Sequence, residues 1–406
     1  MLLVLLCGFS LVARCAWMAA PGRPVFDESY YVNAARVIDG IRPPAGAMYA
    51  TAALGIDPNH EHPPLVKVII AASIRVFGDR PLGWRAPSLV FGTVAILAMY
   101  GLALGAGASR WTALASAAVL GVDNLFFVHG VVATLDIVAL TFMLAGAALY
   151  LRRRPVLAGV LIGVGACGKM IALSALAVLV IVELLRYLLP RDGSSDPVRS
   201  RARHGAAAMS ACLVAAVVTY LGALFLLDVR YTSFTNPMTH TRHMLSYAEN
   251  LPEHAPSHPG FALAATSRPL EWLANREPIL YFQRFTPPGR PLHTLVLVQG
   301  RMSPFVIYLA LPALAVALAT AWRRRDDLSF LVVGWCAGTY LTLALISLHH
   351  SFNYLYYMLV VLPGICLGVV RLLASGWMPR AVAWAYTVGL AYGFLSLYPL
   401  RVWGAR

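Results

Sequence analysis

The sequence is poor in charged residues and almost without lysine. Of its 406 residues only 12% are charged, whereas soluble domains carry about 25%. Hydrophobic residues make up 59% of the chain, and its mean hydropathy is +0.69. This composition excludes an ordinary soluble protein and indicates that lipid solvates most of the chain. The two lysines, Lys67 and Lys169, stand against thirty arginines.

Paired cysteine spacing is also missing. The six cysteines all lie in apolar stretches, so we interpret them as small core residues rather than a disulfide framework or a zinc site. The net charge of +14 would suggest nucleic acid in a soluble protein. Here the basic residues fall mostly between apolar runs. Membrane topology explains them better, and we expect no nucleic-acid partner.

About eleven apolar runs are long enough to cross a bilayer, which predicts an all-α polytopic membrane protein. They lie near residues 1–20, 84–106, 111–128, 131–151, 155–170, 171–189, 205–227, 301–321, 328–348, 354–374 and 381–400. A signal peptide is the alternative for the first run, but that run has no basic leader and Arg14 interrupts it. We therefore favour a first transmembrane helix.

Arginine clusters in the short loops predict the topology. Arg152–Arg154, Arg323–Arg325 and the segment 186–203 fall on one side if the N-terminus is inside the cell. We expect a multi-pass protein of the plasma (inner) membrane, with its chemistry on the extracytoplasmic face, because eleven of the eighteen carboxylates fall in two long outer loops. The expected division is a first helix at 1–20, an outer loop at 21–83, helices 2–7 at 84–227, a second outer loop at 228–300, and helices 8–11 at 301–406.

Asp27 and Glu28 open a helical pattern at the start of the first outer loop. Adjacent residues on a helix point about 100° apart, so these carboxylates would serve two different ligands rather than flank one bond. The alternative is structural: Asp27 caps the helix and Glu28 favours its dipole.

A second motif, from His60 through the double proline to Lys67, leads into an apolar run. Proline suits the first turn of a helix, whose free N–H groups favour an anion, and Lys67 one turn later would hold a phosphate. Lys67 could instead be a snorkelling lysine. The pair His60 and His62 with Glu61 could bind a metal, but no third spaced ligand follows, so a divalent metal is not indicated.

Two carboxylates, Asp123 and Asp136, lie near or inside apolar spans. Charges at that depth are costly and are usually functional or paired. The alternative is a hydrogen-bond anchor between helices. Lys169 falls where the fifth and sixth spans meet on the outer side, so both lysines should reach the same face.

The second outer loop offers His254, His258 and Trp272 as candidates for contacts with an acceptor. Histidines in a polar loop mostly face solvent. The aromatic residues suit either an interfacial belt or a surface that stacks on sugar.

The order of the motifs resembles the protein O-mannosyltransferase family (glycosyltransferase family 39) and its bacterial phospholipid-carrier-dependent relatives, which share the GT-C membrane fold. The resemblance covers nearly the whole chain. Its motifs are Asp27-Glu28, His62-Pro63-Pro64-Leu65-x-Lys67, Asp123-Asn124, Leu135-Asp136, Gly168-Lys169, Ser267-x-Pro269-x-x-Trp272-Leu273, and Phe352 with Tyr356-Tyr357 before Pro363.

The resemblance implies transfer of a sugar, typically mannose, from a polyprenyl-phosphate carrier to a hydroxyl acceptor, Ser or Thr of exported proteins, on the outer face. Asp27 would be the catalytic base, with Glu28 beside it in the acceptor site. The expected partners are membrane lipids, the carrier-linked sugar as donor substrate and the exported protein, and no cofactor is certain. The expected residues for binding the donor phosphate and sugar are His62, Lys67, Asp123, Asp136 and Lys169.

The sequence departs from the family at two arginines. Val131 stands where the family has an arginine thought to hold the carrier phosphate, and His129 precedes it by two residues. Either Lys67, Lys169 or an outer-loop arginine takes over, or the affinity for the donor is altered. A second arginine, near the Tyr356-Tyr357 segment, is also missing, with His349 and His350 in its place.

A phosphate-linked donor needs fewer catalytic groups than a glycoside. Its leaving group is a phosphate, so no general acid is required, and one base with cationic phosphate contacts can suffice. We therefore expect Asp27 to accept the hydroxyl proton in one inverting displacement. The alternatives are a lipid or cell-wall glycan acceptor on the same fold, and a non-catalytic lipid-sugar transporter. A transporter would favour internal repeats and ionisable residues at mid-membrane depth, and we see no convincing repeat.

Overall fold

The computed structural model describes residues 1–190, 198–249, 267–285, 294–348, 353–376 and 378–399. Helices dominate these ranges. They are α1 Leu2–Met18, α2 Glu28–Ile38, α3 Leu65–Phe77, α4 Pro81–Gly105, α5 Arg110–Val122, α6 Asn124–His129, α7 Asp136–Leu151, α8 Pro155–Ala166, α9 Ser174–Leu188, α10 Val198–Tyr231, α11 Pro237–Glu249, α12 Pro269–Leu273, α13 Pro304–Ile307, α14 Ala310–Arg324, α15 Asp327–Ser347, α16 Leu362–Leu373 and α17 Arg380–Leu397. Short 3-10 helices cover Met170–Leu173 and Leu355–Val360.

Helices of two lengths form the apolar bundle. Within the described ranges, five are long and apolar enough to cross a membrane: Pro81–Gly105, Met170–Leu188, Ala202–Tyr231, Pro304–Arg324 and Asp327–Ser347. Five further apolar helices are shorter, at Leu2–Cys15, Arg110–Val122, Asp136–Leu151, Pro155–Ala166 and Leu362–Leu373. The total of about eleven spans therefore stays a prediction.

Polar residues explain why some apolar runs give short helices. The run predicted at 111–128 is divided at Asp123, whose extended backbone ends α5 and begins α6. Asp123 Oδ1 accepts hydrogen bonds from the backbone N–H groups of Leu125 and Phe126, at 2.9 and 3.4 Å. A carboxylate that caps a new helix start satisfies N–H groups that an unbroken helix would have bonded internally.

A small β-hairpin adds to the helices. Strand β1, Ile279–Phe285, pairs antiparallel with β2, Thr294–Gly300, and Ile279 lies opposite Gly300. β-Branched and aromatic residues make up half of the two strands, as strand propensity favours. The sequence analysis assigned this region only to the second outer loop. The hairpin is important because it carries Tyr281, which is buried against the helices.

Hydrogen bonds tie the segment 21–83 to the last turn of α10 and to α11. The backbone N–H of Asp57 donates to the carbonyl of Tyr231 at 2.6 Å. His240 Nε2 donates to the carbonyl of His60 at 3.1 Å, and its Nδ1 lies 2.7 Å from Oδ1 of Asp228. These contacts fix the layer that carries α2 and α3 on the bundle.

Candidate active site

Asp27 occupies the N-cap position of α2, but its carboxylate makes no capping hydrogen bond. Its Oδ2 instead accepts a hydrogen bond from the Tyr356 hydroxyl at 3.2 Å. The preceding residue, Phe26, has φ of +46°, a left-handed conformation that is costly for a bulky side chain. The Asp27 carboxylate is therefore held by a tertiary contact and not by the helix start.

Aromatic rings surround the backbone at this point. The Phe26 ring packs edge-on against Tyr281, Tyr354 and Tyr356, with ring centroids 5.5, 5.8 and 5.9 Å apart. Tyr356 in turn lies 4.9 Å from Tyr357. Such edge-to-face pairs stabilise beyond the area they bury. They compensate for the unfavourable backbone of Phe26 and hold Tyr356 against Asp27.

The pKa of Asp27 is raised to about 7, mainly because burial disfavours the charged carboxylate. The positive charge of Lys169 opposes this shift, the negative charge of Asp136 adds to it, and the Tyr356 hydrogen bond lowers the pKa again. A carboxyl with a pKa near 7 accepts a proton more readily than an ordinary aspartate, and it is still partly ionised at neutral pH.

Lys169 and Asp136 form an ion pair beside this group. Their Nζ and Oδ1 atoms are 2.7 Å apart, and both side chains are largely buried. The Lys169 ammonium lies 5.2 Å from the ring centroid of Tyr356 and 5.5 Å from that of Tyr357. Three of the predicted site residues, Asp27, Asp136 and Lys169, therefore meet around Tyr356.

Glu28 points elsewhere and is fully buried. Its carboxylate accepts hydrogen bonds from Nε and Nη2 of Arg85, at 2.8 and 2.7 Å. The backbone N–H groups of Val25 and Ala133 donate to the same carboxylate, at 3.0 and 2.8 Å. Four donors saturate the two oxygens, so Glu28 joins α2 to α4 and to the segment before α7.

Lys67 is also fully buried, and its ammonium is paired with an aspartate and two backbone carbonyls. It lies 2.5 Å from Oδ2 of Asp57 and donates to the carbonyl of His62 at 2.8 Å and to the carbonyl of Asn59. Burial lowers the pKa of Lys67, and Asp57 opposes that shift. Lys67 therefore fastens the loop before α3.

His62 lies between the two lysines. Burial first, and then the charges of Lys169 and Lys67, lower the pKa of His62 well below its usual value, so its imidazole is neutral at pH 7. Its ring packs 5.9 Å from that of Tyr31, in the first turn of α2. A neutral imidazole at this position can take part in hydrogen bonding but cannot supply a positive charge.

The carboxylate of Asp123 joins two parts of the chain. Besides capping α6 through Oδ1, it accepts a hydrogen bond from the backbone N–H of Ser303 through Oδ2, at 2.7 Å. Within the described residues, its carboxylate accepts three hydrogen bonds, all from backbone N–H groups. This arrangement matches the alternative interpretation, a hydrogen-bond anchor.

Val131, at the position of the missing family arginine, has a fully buried side chain. The neighbouring His129 lies 2.7 Å through Nε2 from the Tyr281 hydroxyl, and 3.2 Å through Nδ1 from Oγ1 of Thr134. Its ring is 5.5 Å from that of Tyr356. His129 therefore links the hairpin to the tyrosines around Asp27.

Of the three candidates in the second outer loop, Trp272 is buried and donates through Nε1 to the Ser267 hydroxyl at 2.9 Å. Its ring is 6.0 Å from that of Tyr357, so it extends the aromatic cluster. His254 and His258 lie outside the described residues. In the part of the chain that the structure describes, no three His, Cys, Asp or Glu side chains are placed to hold a metal ion.

Sequence reasoning missed two functional partners. Arg85, which neutralises Glu28, was not singled out in the sequence. The contact of Tyr281 with His129 was not predicted either. An arginine inside an apolar helix is the one local signal that could have found the first pair.

Comparison with known proteins finds similarity to mannosyltransferases. Residues 61–220 match the family described as dolichyl-phosphate-mannose-protein mannosyltransferase. A polyprenol-phosphate-mannose–protein mannosyltransferase of Corynebacterium glutamicum is 33% identical over 144 residues, which are 34% of this chain and 27% of the relative. The resemblance to protein O-mannosyltransferases is confirmed. The chain matches only about a quarter of the length of that curated relative.

Solved structures extend the likeness to the whole fold. The protein O-mannosyltransferase complex Pmt1–Pmt2 of S. cerevisiae, bound to the sugar donor, matches with a TM-score of 0.73 at 12% identity, covering 99% of this chain and 90% of that one. ArnT from Cupriavidus metallidurans, bound to undecaprenyl phosphate, matches with a TM-score of 0.55 at 18% identity, covering 96% and 62%. The predicted all-α GT-C membrane fold is thereby confirmed.

Proposed function

We propose that this protein transfers a mannosyl group from a polyprenyl-phosphate carrier to a hydroxyl group of exported proteins. The reaction takes place on the extracytoplasmic face of the plasma membrane. The matched family and the Corynebacterium relative support the donor and the acceptor. The observation that carries the proposal is Asp27, a carboxyl group with a pKa of about 7 that meets Tyr356, Lys169 and Asp136.

Asp27 acts as the general base. It takes the proton of the acceptor hydroxyl while that oxygen bonds to the anomeric carbon of the sugar, and the bond from this carbon to the phosphate oxygen breaks. The carrier leaves as its phosphate, which needs no protonation, so a single base suffices. One displacement of this kind inverts the anomeric carbon.

Lys169 binds the donor phosphate. Both lysines are paired with an aspartate, but the Lys67 side chain is fully buried, whereas the Lys169 side chain is 12% exposed and lies beside the ring of Tyr356, the residue that contacts Asp27. Lys169 thus takes over from the family arginine that Val131 replaces. Asp136 orients the Lys169 ammonium. When the donor phosphate approaches, the ammonium interacts with both the Asp136 carboxylate and the phosphate.

The other predicted residues support this centre. Glu28 positions Asp27 through Arg85, and Lys67 positions His62 through its hydrogen bond to the His62 carbonyl. Asp123 holds the connection before α13. Trp272 and the tyrosines near it form the aromatic surface for the sugar or the acceptor, and His254 and His258 stay predicted acceptor contacts.

The test is mannosyl transfer in membranes that contain the full chain. Asp27→Asn is compared with Asp39→Asn, which changes a carboxylate at the opposite end of α2. With a radiolabelled polyprenyl-phosphate mannose and a Ser/Thr-rich acceptor peptide, we expect Asp27→Asn to lose about 10²- to 10⁴-fold in rate. Asp39→Asn should stay near the wild-type rate.

Three results would overturn parts of the proposal. Wild-type turnover in Asp27→Asn would exclude Asp27 as the base. Label that enters a lipid or cell-wall glycan fraction but never a peptide would replace the protein acceptor with the alternative one. Uptake of donor without any transfer would instead support a transporter.

A further inference from the structure

A polar cavity lies at the end of the bundle opposite Asp27. Its volume is about 360 Å³, which is within the range of small-ligand pockets. The 3-10 helix that carries Tyr356 leads into α16, and α16 ends just before Ala374, which lines this cavity. At 1.5 Å per residue its 12 residues separate the two sites by about 18 Å. The cavity is therefore distinct from the site around Asp27.

Three arginines converge on this cavity, together with hydroxyl groups from three elements. Arg323 and Arg324 come from the last turn of α14, and Arg371 comes from the last turn of α16. The hydroxyl residues are Ser109 and Thr112 at the start of α5, Thr320 on α14, and Ser375 after α16.

The cavity carries an excess of positive charge. Arg371 pairs with Asp326, with Nη2 and Oδ2 2.5 Å apart, and its Nε donates to Oγ1 of Thr320 at 3.2 Å. Within the described residues, Arg323 and Arg324 form no ion pair, and both are exposed. One carboxylate against three guanidinium groups leaves two positive charges available. Planar guanidinium groups with nearby hydroxyls match the oxygens of a phosphate.

The cavity opens at the level of the membrane surface. Trp322 precedes Arg323 and is 69% exposed, and Trp111 precedes Thr112 and is 71% exposed. Exposed tryptophans are typical of the boundary between lipid tails and headgroups. Leu311 and Leu318, also exposed, continue the same stripe of α14 toward the bundle centre. A phosphate at this depth belongs to a lipid headgroup.

We propose that this cavity binds the phosphate of an anionic phospholipid from the leaflet at the arginine-rich end. Arginines that only determine membrane topology do not have to point into a common cavity, because topology depends on how many of them lie in the cytoplasmic loops. Here the side chains come from separate helices and share one cavity. Basic pockets between transmembrane helices are known sites for anionic headgroups.

The test uses the purified full chain in lipid nanodiscs. Thermal unfolding is measured in phosphatidylcholine and with increasing phosphatidylglycerol, and bound lipid is counted by native mass spectrometry. The variant Arg323→Gln/Arg324→Gln is compared with Arg153→Gln/Arg154→Gln. The control pair is exposed at the α7–α8 connection on the same side of the bundle and does not line the cavity.

We expect phosphatidylglycerol to raise the unfolding temperature of the wild type and of the control variant equally. The cavity variant should bind it at least about tenfold more weakly. Equal weakening in both variants would show that surface charge alone attracts the lipid, and would overturn the proposal. Full stabilisation by inorganic phosphate without the lipid would overturn the assignment to a phospholipid.

Discussion

The Tyr356 hydroxyl donates to Oδ2 of Asp27 at 3.2 Å, although 329 positions separate the two residues. This contact brings the start of the second helix against the 3-10 helix that precedes α16. It also places the carboxylate next to the ring over which Lys169 lies. The proposed base, the proposed phosphate contact and the aromatic surface therefore all adjoin one tyrosine.

The pH dependence of transfer should follow the protonation of Asp27. Its pKa is raised to about 7, so the carboxyl is protonated below that pH and cannot act as a base. We expect kcat/KM to rise about tenfold per pH unit below 7 and to level off above it. The Tyr356 hydrogen bond lowers this pKa, so Tyr356→Phe should move the midpoint to higher pH. Tyr308→Phe, at an exposed position, is the matched control; an unmoved midpoint in Tyr356→Phe would contradict this role.

Removal of the Lys169 charge should weaken donor binding. Lys169→Met removes the cation and leaves Asp136 without its partner, so we expect the KM for polyprenyl-phosphate mannose to rise at least about tenfold. Lys169→Arg keeps the charge and should recover part of the affinity, although its geometry differs. A normal donor KM with a reduced kcat would show that Lys169 acts on Asp27 instead of the phosphate.

Glu28→Gln should destabilise the protein strongly. The substitution leaves the buried Arg85 guanidinium without a countercharge, which costs about 3–5 kcal/mol for comparable buried pairs. The comparison is Asp39→Asn, which removes the partner of the largely exposed Arg75 and should cost under about 1 kcal/mol. Thermal unfolding in detergent measures both, and equal shifts would contradict the anchoring role of Glu28.

The role of Lys67 can be separated from phosphate binding by a double variant. Lys67→Met leaves Asp57 buried and unpaired, so the unfolding temperature should fall. Adding Asp57→Asn removes the unpaired charge and should restore most of that loss. If Lys67 bound the donor, the stabilised double variant would still show a raised donor KM; we expect it to be close to normal.

Local pattern predicted the helices and the positions of several site residues. The apolar run at 84–106 corresponds to α4, Pro81–Gly105, because length and composition alone define a buried helix. The start of α2 at Glu28 followed from the same reasoning. The expectation that the adjacent carboxylates Asp27 and Glu28 serve different partners follows from helix geometry, and in the structure they face Tyr356 and Arg85.

Long-range pairing could not be predicted in the same way. Lys67 lies in the first turn of α3, whose start after Pro64 was expected. Its ion pair with Asp57, however, depends on how the irregular loop before α3 folds. The hairpin was missed because two short strands do not stand out inside a long polar loop. Its Tyr281 meets His129 across 152 positions, a separation that periodicity cannot encode.

The left-handed backbone of Phe26 makes the position of Asp27 dependent on distant rings. A residue that is unfavourable by itself keeps its conformation only while Tyr281, Tyr354 and Tyr356 pack around it. These rings come from the hairpin and from the segment before α16. We expect any ligand that displaces one of these rings to let the backbone relax and withdraw the carboxylate, so the proposed base is in position only when both parts of the chain are in place.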